Sequence, residues 1–249
     1  MTPVGIFVAT GWERQALLRV APETERRTVA GISCSIIRLP LAEWWIVSMG
    51  VGPERASVAA KALCAQQAFR LIVSAGFACA LEHAGIGDVL VGTDVVMRAD
   101  QGFVTHVRCD LAAAEEATLA GRKAGLPVHC GRFVSVPSVL CRAVDKQAAA
   151  QSEQGIGLDM ESAALGAVAQ ERRIPFAIVR TVSDLLEEDL PLDFNLFLRP
   201  SGWMAGLVSL VTHPSSLIGL NRLRRQSNRA AERLTAIYRT WAAMPGGVG

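Results

Sequence analysis

Several features that sort proteins into classes are missing from this chain of 249 residues. Charged residues make up only 19% and nearly cancel to a net +2, while 51% of the residues are hydrophobic. That balance excludes a disordered chain, which needs low hydrophobicity and a large net charge. The longest stretch free of Asp, Glu, Lys and Arg runs from Pro200 to Asn221. Its apolar core, Trp203 to Val211, falls far short of the roughly 20 residues a membrane-spanning helix needs, and Pro214, Ser215 and Ser216 follow it. A fixed repeat and a heptad run are also absent, which excludes collagenous and coiled-coil architectures. The N-terminal Met1-Thr-Pro-Val-Gly-Ile-Phe-Val has no positively charged leader region and no cleavage-site pattern. The six cysteines (34, 64, 79, 109, 130 and 141) never form a C-x-x-C pair, so a structural zinc site is not expected. Free thiols in a reducing cytoplasm are the expectation.

The common catalytic signatures are missing as well. Gly50-Val51-Gly52 begins like a dinucleotide-binding loop, but Arg55 stands where the third glycine belongs. There is no Walker lysine after a glycine-rich loop, no H-E-x-x-H and no G-x-S-x-G. The histidines 83, 106, 129 and 213 show no metal-ligand spacing.

Apolar runs alternate with helical stretches, the pattern of an α/β fold. The runs predict strands at Val4–Ala9, Ile32–Arg38, Trp44–Met49, Leu71–Ala75, Val89–Met97, Val128–Val136 and Phe176–Val182. Several are continuously apolar, as in strands covered on both faces. Helices are predicted at Pro53–Phe69, at Leu111–Lys123 behind Asp110 as N-cap, and at Glu161–Arg173 before Pro175. Beyond Asp184 the strands stop and the remainder reads as helix. Between Arg222 and Arg239 six arginines face one acid, Glu232. This block is either the solvated face of a C-terminal helix or a basic surface turned towards anionic lipid headgroups or phosphate. Aromatics are not interleaved with it, so nucleic acid is not an expected partner.

Chemistry is concentrated in acids at strand ends, where open α/β sheets gather their ligands. Glu13 follows the first strand, Asp159 and Glu161 stand where a short strand gives way to a helix, and Ser183-Asp184 ends the run from Phe176. Three such carboxylates could converge on one cleft, and an Asp beside apolar walls would serve as a general acid. The pattern alone leaves structural roles equally open: capping and macrodipole pairing for Asp159, Glu161, Ser183 or Asp184, and a solvated first-turn position for Glu13.

The segments Gly157-Leu-Asp-Met-Glu-Ser-Ala-Ala and Pro175-Phe-Ala-Ile-Val-Arg-Thr-Val-Ser-Asp together resemble the paired signature of the nucleoside phosphorylase/nucleosidase superfamily. Val4–Ala9 with Glu13, Gly50-Val-Gly before a helix and Gly87-Asp-Val-Leu-Val extend the resemblance in the same order along the chain. It implies a single-domain, three-layer α/β/α fold with a mixed central sheet over residues 1–199. A helical, Arg-rich C-terminal extension, 200–249, would pack on the same domain. Within the superfamily the pattern is similar to the hopanoid-biosynthesis-associated phosphorylases, which remove adenine from adenosylhopane. The alternatives are a methylthioadenosine/S-adenosylhomocysteine nucleosidase, a purine nucleoside phosphorylase, or a nucleoside-binding relative without turnover.

The resemblance assigns roles. Asp184 would protonate adenine N7, and Glu13 would activate the attacking water. Glu161 would hold the ribose hydroxyls and Met160 would pack on the sugar. Asp159, Ser183 and Gly76 would complete the substrate pocket, with Val139 and Leu140 beside the base. Arg55 and Gly52 are the candidates for a phosphate site. No metal or organic cofactor is implied, with phosphate as a co-substrate of the phosphorylase variant. A homodimer and a small-molecule or lipid-linked adenine nucleoside are the implied partners, and Trp203, Met204, Leu207 and Leu210 would offer a lipid its apolar groove. Cys79 and Ala80 replace two glycines common in the family, and Gly76 stands where nucleosidases often carry Ser. If those glycines require positive φ, or let the backbone approach the ligand closely, the change would distort the pocket.

Overall fold

The computed structural model describes residues 2–40, 42–98, 104–190 and 215–244. Its elements in chain order are β1 (Val4–Val8), α1 (Gly11–Leu18), β2 (Glu25–Val29), β3 (Ile32–Arg38), β4 (Glu43–Ser48) and α2 (Pro53–Cys64). β5 (Leu71–Ala80), β6 (Val89–Arg98), β7 (Val104–Arg108), α3 (Leu111–Lys123), β8 (Val128–Ser135) and α4 (Ala143–Glu153) follow. The last are β9 (Gly157–Asp159), α5 (Ser162–Arg172), β10 (Phe176–Asp184) and α6 (Ser215–Ala242).

Period-two alternation makes the layers. In β1, Val4, Ile6 and Val8 face one apolar core and Phe7 faces another; in β10, Ala177 and Val179 oppose Phe176 and Ile178 in the same way. Residues of α1, α3 and α6 fill the first core, and those of α2 and α5 the second, so helices cover both faces of the sheet. The central strands run parallel, β4–β1–β5–β10, and antiparallel strands extend the sheet on both sides. This is the mixed three-layer α/β architecture expected of the chain.

One feature of the sheet positions the site. β5 pairs with β10, β10 with β6, β6 with β8, β8 with β9, and β9 returns to β5. The five strands form a closed ring. At one mouth of it lie Cys79 and Ala80 of β5, Leu158 and Asp159 of β9, and Asp184 of β10, whose register shifts by a bulge between Val182 and Asp184. Bulges re-aim side chains, here at a strand end.

α6 docks firmly. Tyr238 lies edge-on to Trp44 at 6.0 Å and donates to Val179 O at 3.2 Å, while Thr181 Oγ1 donates to Ala230 O at 3.0 Å. Thr235 Oγ1 reaches Ala16 O at 2.8 Å. Its arginines are partly committed within the chain: Arg222 pairs with Glu188, Arg239 donates to Arg19 O, and Arg229 and Arg233 lie over Gly87. Arg224 and Arg225 are exposed. No helix among the described residues is long and apolar enough to cross a membrane. The proposed apolar groove residues Trp203, Met204, Leu207 and Leu210 lie outside the described residues.

Several expectations need correction. α2 stops at Cys64 instead of Phe69, because the chain turns back there: Gln66 N and Gln67 N both donate to Leu63 O, and Phe69 packs against Phe7 and Trp45. β5 continues past Ala75 to Ala80, and neither Cys79 nor Ala80 takes a positive φ, so the backbone conformation here does not require glycine. Residues 185–190 are not helical. Their carbonyls at Leu185 and Glu188 accept from Lys146 of α4, and Leu190 N donates to Cys141 O just before that helix, so these contacts hold the segment.

Candidate active site

The ring mouth opens into a cavity of about 170 Å³. Glu13, Glu161 and Asp184 all line it, together with Phe77, Cys79, Val139, Leu140, Leu158, Asp159, Met160, Arg180 and Ser183. The three strand-end carboxylates therefore meet. Gly76 and Gly52 stand behind this lining and act through Glu13 and Glu161.

Glu13 is the third residue of α1 and completes a capping box with Thr10: Thr10 Oγ1 accepts from Glu13 N, and Glu13 Oε2 accepts from Thr10 N at 2.7 Å. Ala9 N also donates to Oε2 and Phe77 N to Oε1. Three of the roughly four lone-pair positions of the carboxylate are thus used, and one on Oε1 remains for a cavity ligand. Its capping and its cavity position coexist. Gly76 has φ +141°, and a Cβ there would lie 2.2 Å from Glu13 Oε1, so glycine is what admits the carboxylate.

Glu161 precedes α5 without capping it; Oε1 instead accepts from Gly52 N at 2.9 Å. That bond spans 109 residues and is made by the Gly50-Val51-Gly52 turn, where both glycines have positive φ. The resemblance had offered this turn to phosphate. Arg55 is exposed and lies back over Gly50, away from the cavity lining. Burial pushes the Glu161 carboxyl up to about 7, against the pull of Arg180, with Asp159 adding to the rise.

Arg180 went unrecognised in the sequence, where it stood only as a letter inside the segment Pro175–Asp184. It is fully buried. Nη1 donates to Phe77 O at 2.9 Å, Nη2 to Ser74 Oγ at 2.8 Å, and Nη2 lies 3.5 Å from Glu161 Oε2. Nε sits 2.9 Å from Asp159 Oδ2 at an angle unsuited to a directed hydrogen bond, so charge holds that contact. Burial works against the guanidinium, but Asp159 and Glu161 outweigh it and raise its pKa. Asp159 is itself saturated by Ser135 Oγ, Ser162 N and Ser162 Oγ. It anchors Arg180 more than it faces the cavity.

At the other end, Asp184 Oδ1 accepts from Ser183 Oγ at 3.0 Å and Oδ2 from Lys146 Nζ at 2.8 Å. Neither Ser183 nor Asp184 caps a helix; both end β10. Lys146 comes from α4, an element the sequence pattern did not reveal. Val139 and Leu140 border this end of the cavity. Among the described residues no group of His, Cys, Asp and Glu is arranged to hold a metal ion.

With this geometry in view, comparison with known proteins is informative. The curated 5′-methylthioadenosine/S-adenosylhomocysteine nucleosidase of Shewanella loihica is 25% identical over 228 residues, covering 84% of this chain and 99% of its own length. The Neisseria meningitidis nucleosidase of the same name, solved with methylthio-immucillin-A, superposes with a TM-score of 0.72 at 19% identity over 96% of this chain and 99% of that one. Futalosine hydrolase of Helicobacter pylori gives a TM-score of 0.72 at 14% identity, over 95% of this chain and 97% of that one. These solved structures share the fold. The family model described as the phosphorylase superfamily matches residues 3–199, the stretch that builds the ring and brings its acids together, and the chain belongs to that superfamily.

Proposed function

We propose that this protein hydrolyses the N-glycosidic bond of a 5′-substituted adenine nucleoside of the methylthioadenosine or S-adenosylhomocysteine kind. The observation that carries the reading is the convergence of Glu13, Glu161 and Asp184 on one cavity. Breaking the bond leaves positive charge on the ribose and an electron pair on the base, so acids are needed at both ends of the nucleoside. Asp184 supplies the proton to N7 and lets adenine leave neutral. Glu161, ionised, accepts from the ribose hydroxyls and favours the cationic sugar electrostatically, while Met160 packs on its face. The free lone pair of Glu13 takes a proton from the attacking water. No resident cofactor enters any step.

Water is favoured over phosphate as the acceptor. Glu13, Glu161 and Asp159 crowd the acceptor side with negative charge, and the cation there, Arg180, is already committed to Phe77 O, Ser74, Asp159 and Glu161. The adenosylhopane reading leaned on residues 202–214, outside the described residues, whereas two of the three relatives reported above are named for the small thio nucleosides. Those are therefore the substrates of choice.

The test is adenine release, followed by chromatography, from methylthioadenosine, S-adenosylhomocysteine and adenosylhopane, each with and without phosphate. Release from the thio nucleosides independent of phosphate is expected, and Asp184→Asn should lower kcat by about 10²–10⁴-fold. Phosphate-dependent release, or preference for adenosylhopane, would replace the reading, and a folded protein that binds without releasing adenine would leave it a binder.

A further inference from the structure

Lys146 is the one buried ammonium at the site that the mechanism above does not use. Its side chain is 1% exposed, it stands behind Asp184 outside the cavity lining, and α4 brings it there across 38 residues of chain. All three of its protons are placed: on Asp184 Oδ2 at 2.8 Å, Leu185 O at 3.2 Å and Glu188 O at 3.1 Å. A buried ammonium is costly unless fully partnered, so this is a built arrangement.

We propose that Lys146 is the positioning residue that makes Asp184 an effective proton donor, an inference that rests on the nucleosidase reading. Its clamp on Oδ2 leaves Oδ1, which also accepts from Ser183, as the oxygen offered to the base. Its charge supplies the driving force. When substrate binds, Asp184 carries a proton taken from solvent and faces an ammonium without a counter-charge. As the C1′–N9 bond breaks, its electrons pass to the adenine ring, the proton moves from Asp184 to N7, and the carboxylate is restored opposite Lys146. Proton transfer and recovery of the ion pair are one event.

The other groups facing the pair are few. Cys79 of β5 lies beside both, and burial, together with Asp184, raises its thiol far above the usual range, so it stays neutral. Glu188 turns its carboxylate to Arg222 and Gln226 of α6. From α4 and the segment after β10, Asp189 Oδ1 is held by Ala143 N. Lys146 itself remains charged: burial disfavours the ammonium, but Asp184 and Cys79 outweigh it and its pKa is raised.

The experiment is Lys146→Gln assayed on methylthioadenosine and on 4-nitrophenyl riboside, whose leaving group departs as a stable anion and needs no proton. With methylthioadenosine, kcat should fall about 10²-fold with KM within about threefold, since general acid catalysis is worth that much. The alkaline limb of the pH profile should move once the cation is gone. Turnover of 4-nitrophenyl riboside should stay within about threefold of the parent enzyme, because that step bypasses the acid. Lys146→Arg keeps the charge and should keep the alkaline limb in place, and it stands in for Gln if that variant does not fold. Equal losses on both substrates with an unmoved pH profile would reduce Lys146 to a structural strut. An alkaline limb that moves in Lys146→Arg, or full activity in Lys146→Gln, would also overturn the proposal. Failure of the unaltered enzyme to release adenine would instead strike the nucleosidase reading itself.

Discussion

The two ends of the cavity are built on different plans. Around Glu13, Glu161, Asp159 and Arg180, nearly every charged atom is fixed by protein partners, many of them backbone amides or serine hydroxyls. Around Asp184, position depends on a single lysine reaching in from a different helix, with one serine beside it. The crowded end is rigid because many contacts would have to break at once. The sparse end is tunable, since changing one residue alters both the geometry and the electrostatic surroundings of Asp184.

That contrast can be tested from its strongest point downward. Arg180→Met removes the cation that Asp159 and Glu161 share and leaves Asp159 buried without a counter-charge, so it should destabilise the fold by about 3–5 kcal/mol in a denaturant titration. A loss under 1 kcal/mol would mean the crowded end is not held by charge. Gly76→Ala should cost about 1–3 kcal/mol through the forced displacement of Glu13, with a fall in kcat that outstrips any change in KM. A structure of that variant with Glu13 unmoved would show the site more yielding than described.

The pH response of Glu161 sharpens the comparison. Its folded-state pKa, about 7, lies above its ordinary 4.5, so between those values the folded chain holds a proton that the unfolded chain has lost. Stability should therefore fall as pH rises through this window, by at most about 1.4 kcal/mol per unit. On the proposed mechanism, which needs the ionised group, activity should rise over the same interval. Glu161→Gln should flatten the stability curve, and thermal melts across the pH range would reveal it. At the weakest end, Arg222→Ala breaks an ion pair whose arginine is largely exposed, and less than about 1 kcal/mol should be lost. A larger loss would mean that α6 props up the segment beneath Lys146.

Much of this was legible in the chain because strand ends and apolar runs are local signals. The limits of β3 and α3 match the pattern-based expectation, and β1, β4, β6, β8 and β10 differ by one or two residues. The polar edge strand β2, Glu-Arg-Arg-Thr-Val, was invisible because it pairs on one side only and buries little. α4 was missed because its sequence, Ala-Val-Asp-Lys-Gln-Ala-Ala-Ala-Gln-Ser-Glu, carries almost no apolar stripe, and Lys146 went with it. The carboxylates could be named in advance because they sit at strand ends. Their counter-charges could not: Arg180 lies inside an apolar strand and Lys146 inside a polar helix, and only folding brings them within 3 Å of Asp159 and Asp184.

The closed ring of five strands carries a mechanical consequence. An open sheet can splay at an edge to admit a bulkier ligand, but a ring in which every strand has two neighbours resists any change of circumference. On the proposed function, its mouth therefore acts as a fixed gauge for the ribose and the purine, whose size does not vary. Any tolerance for different 5′ groups must come from the connections around the rim, and exchange of the lattice of amides in β5 and β10 should be equally slow with and without a nucleoside bound.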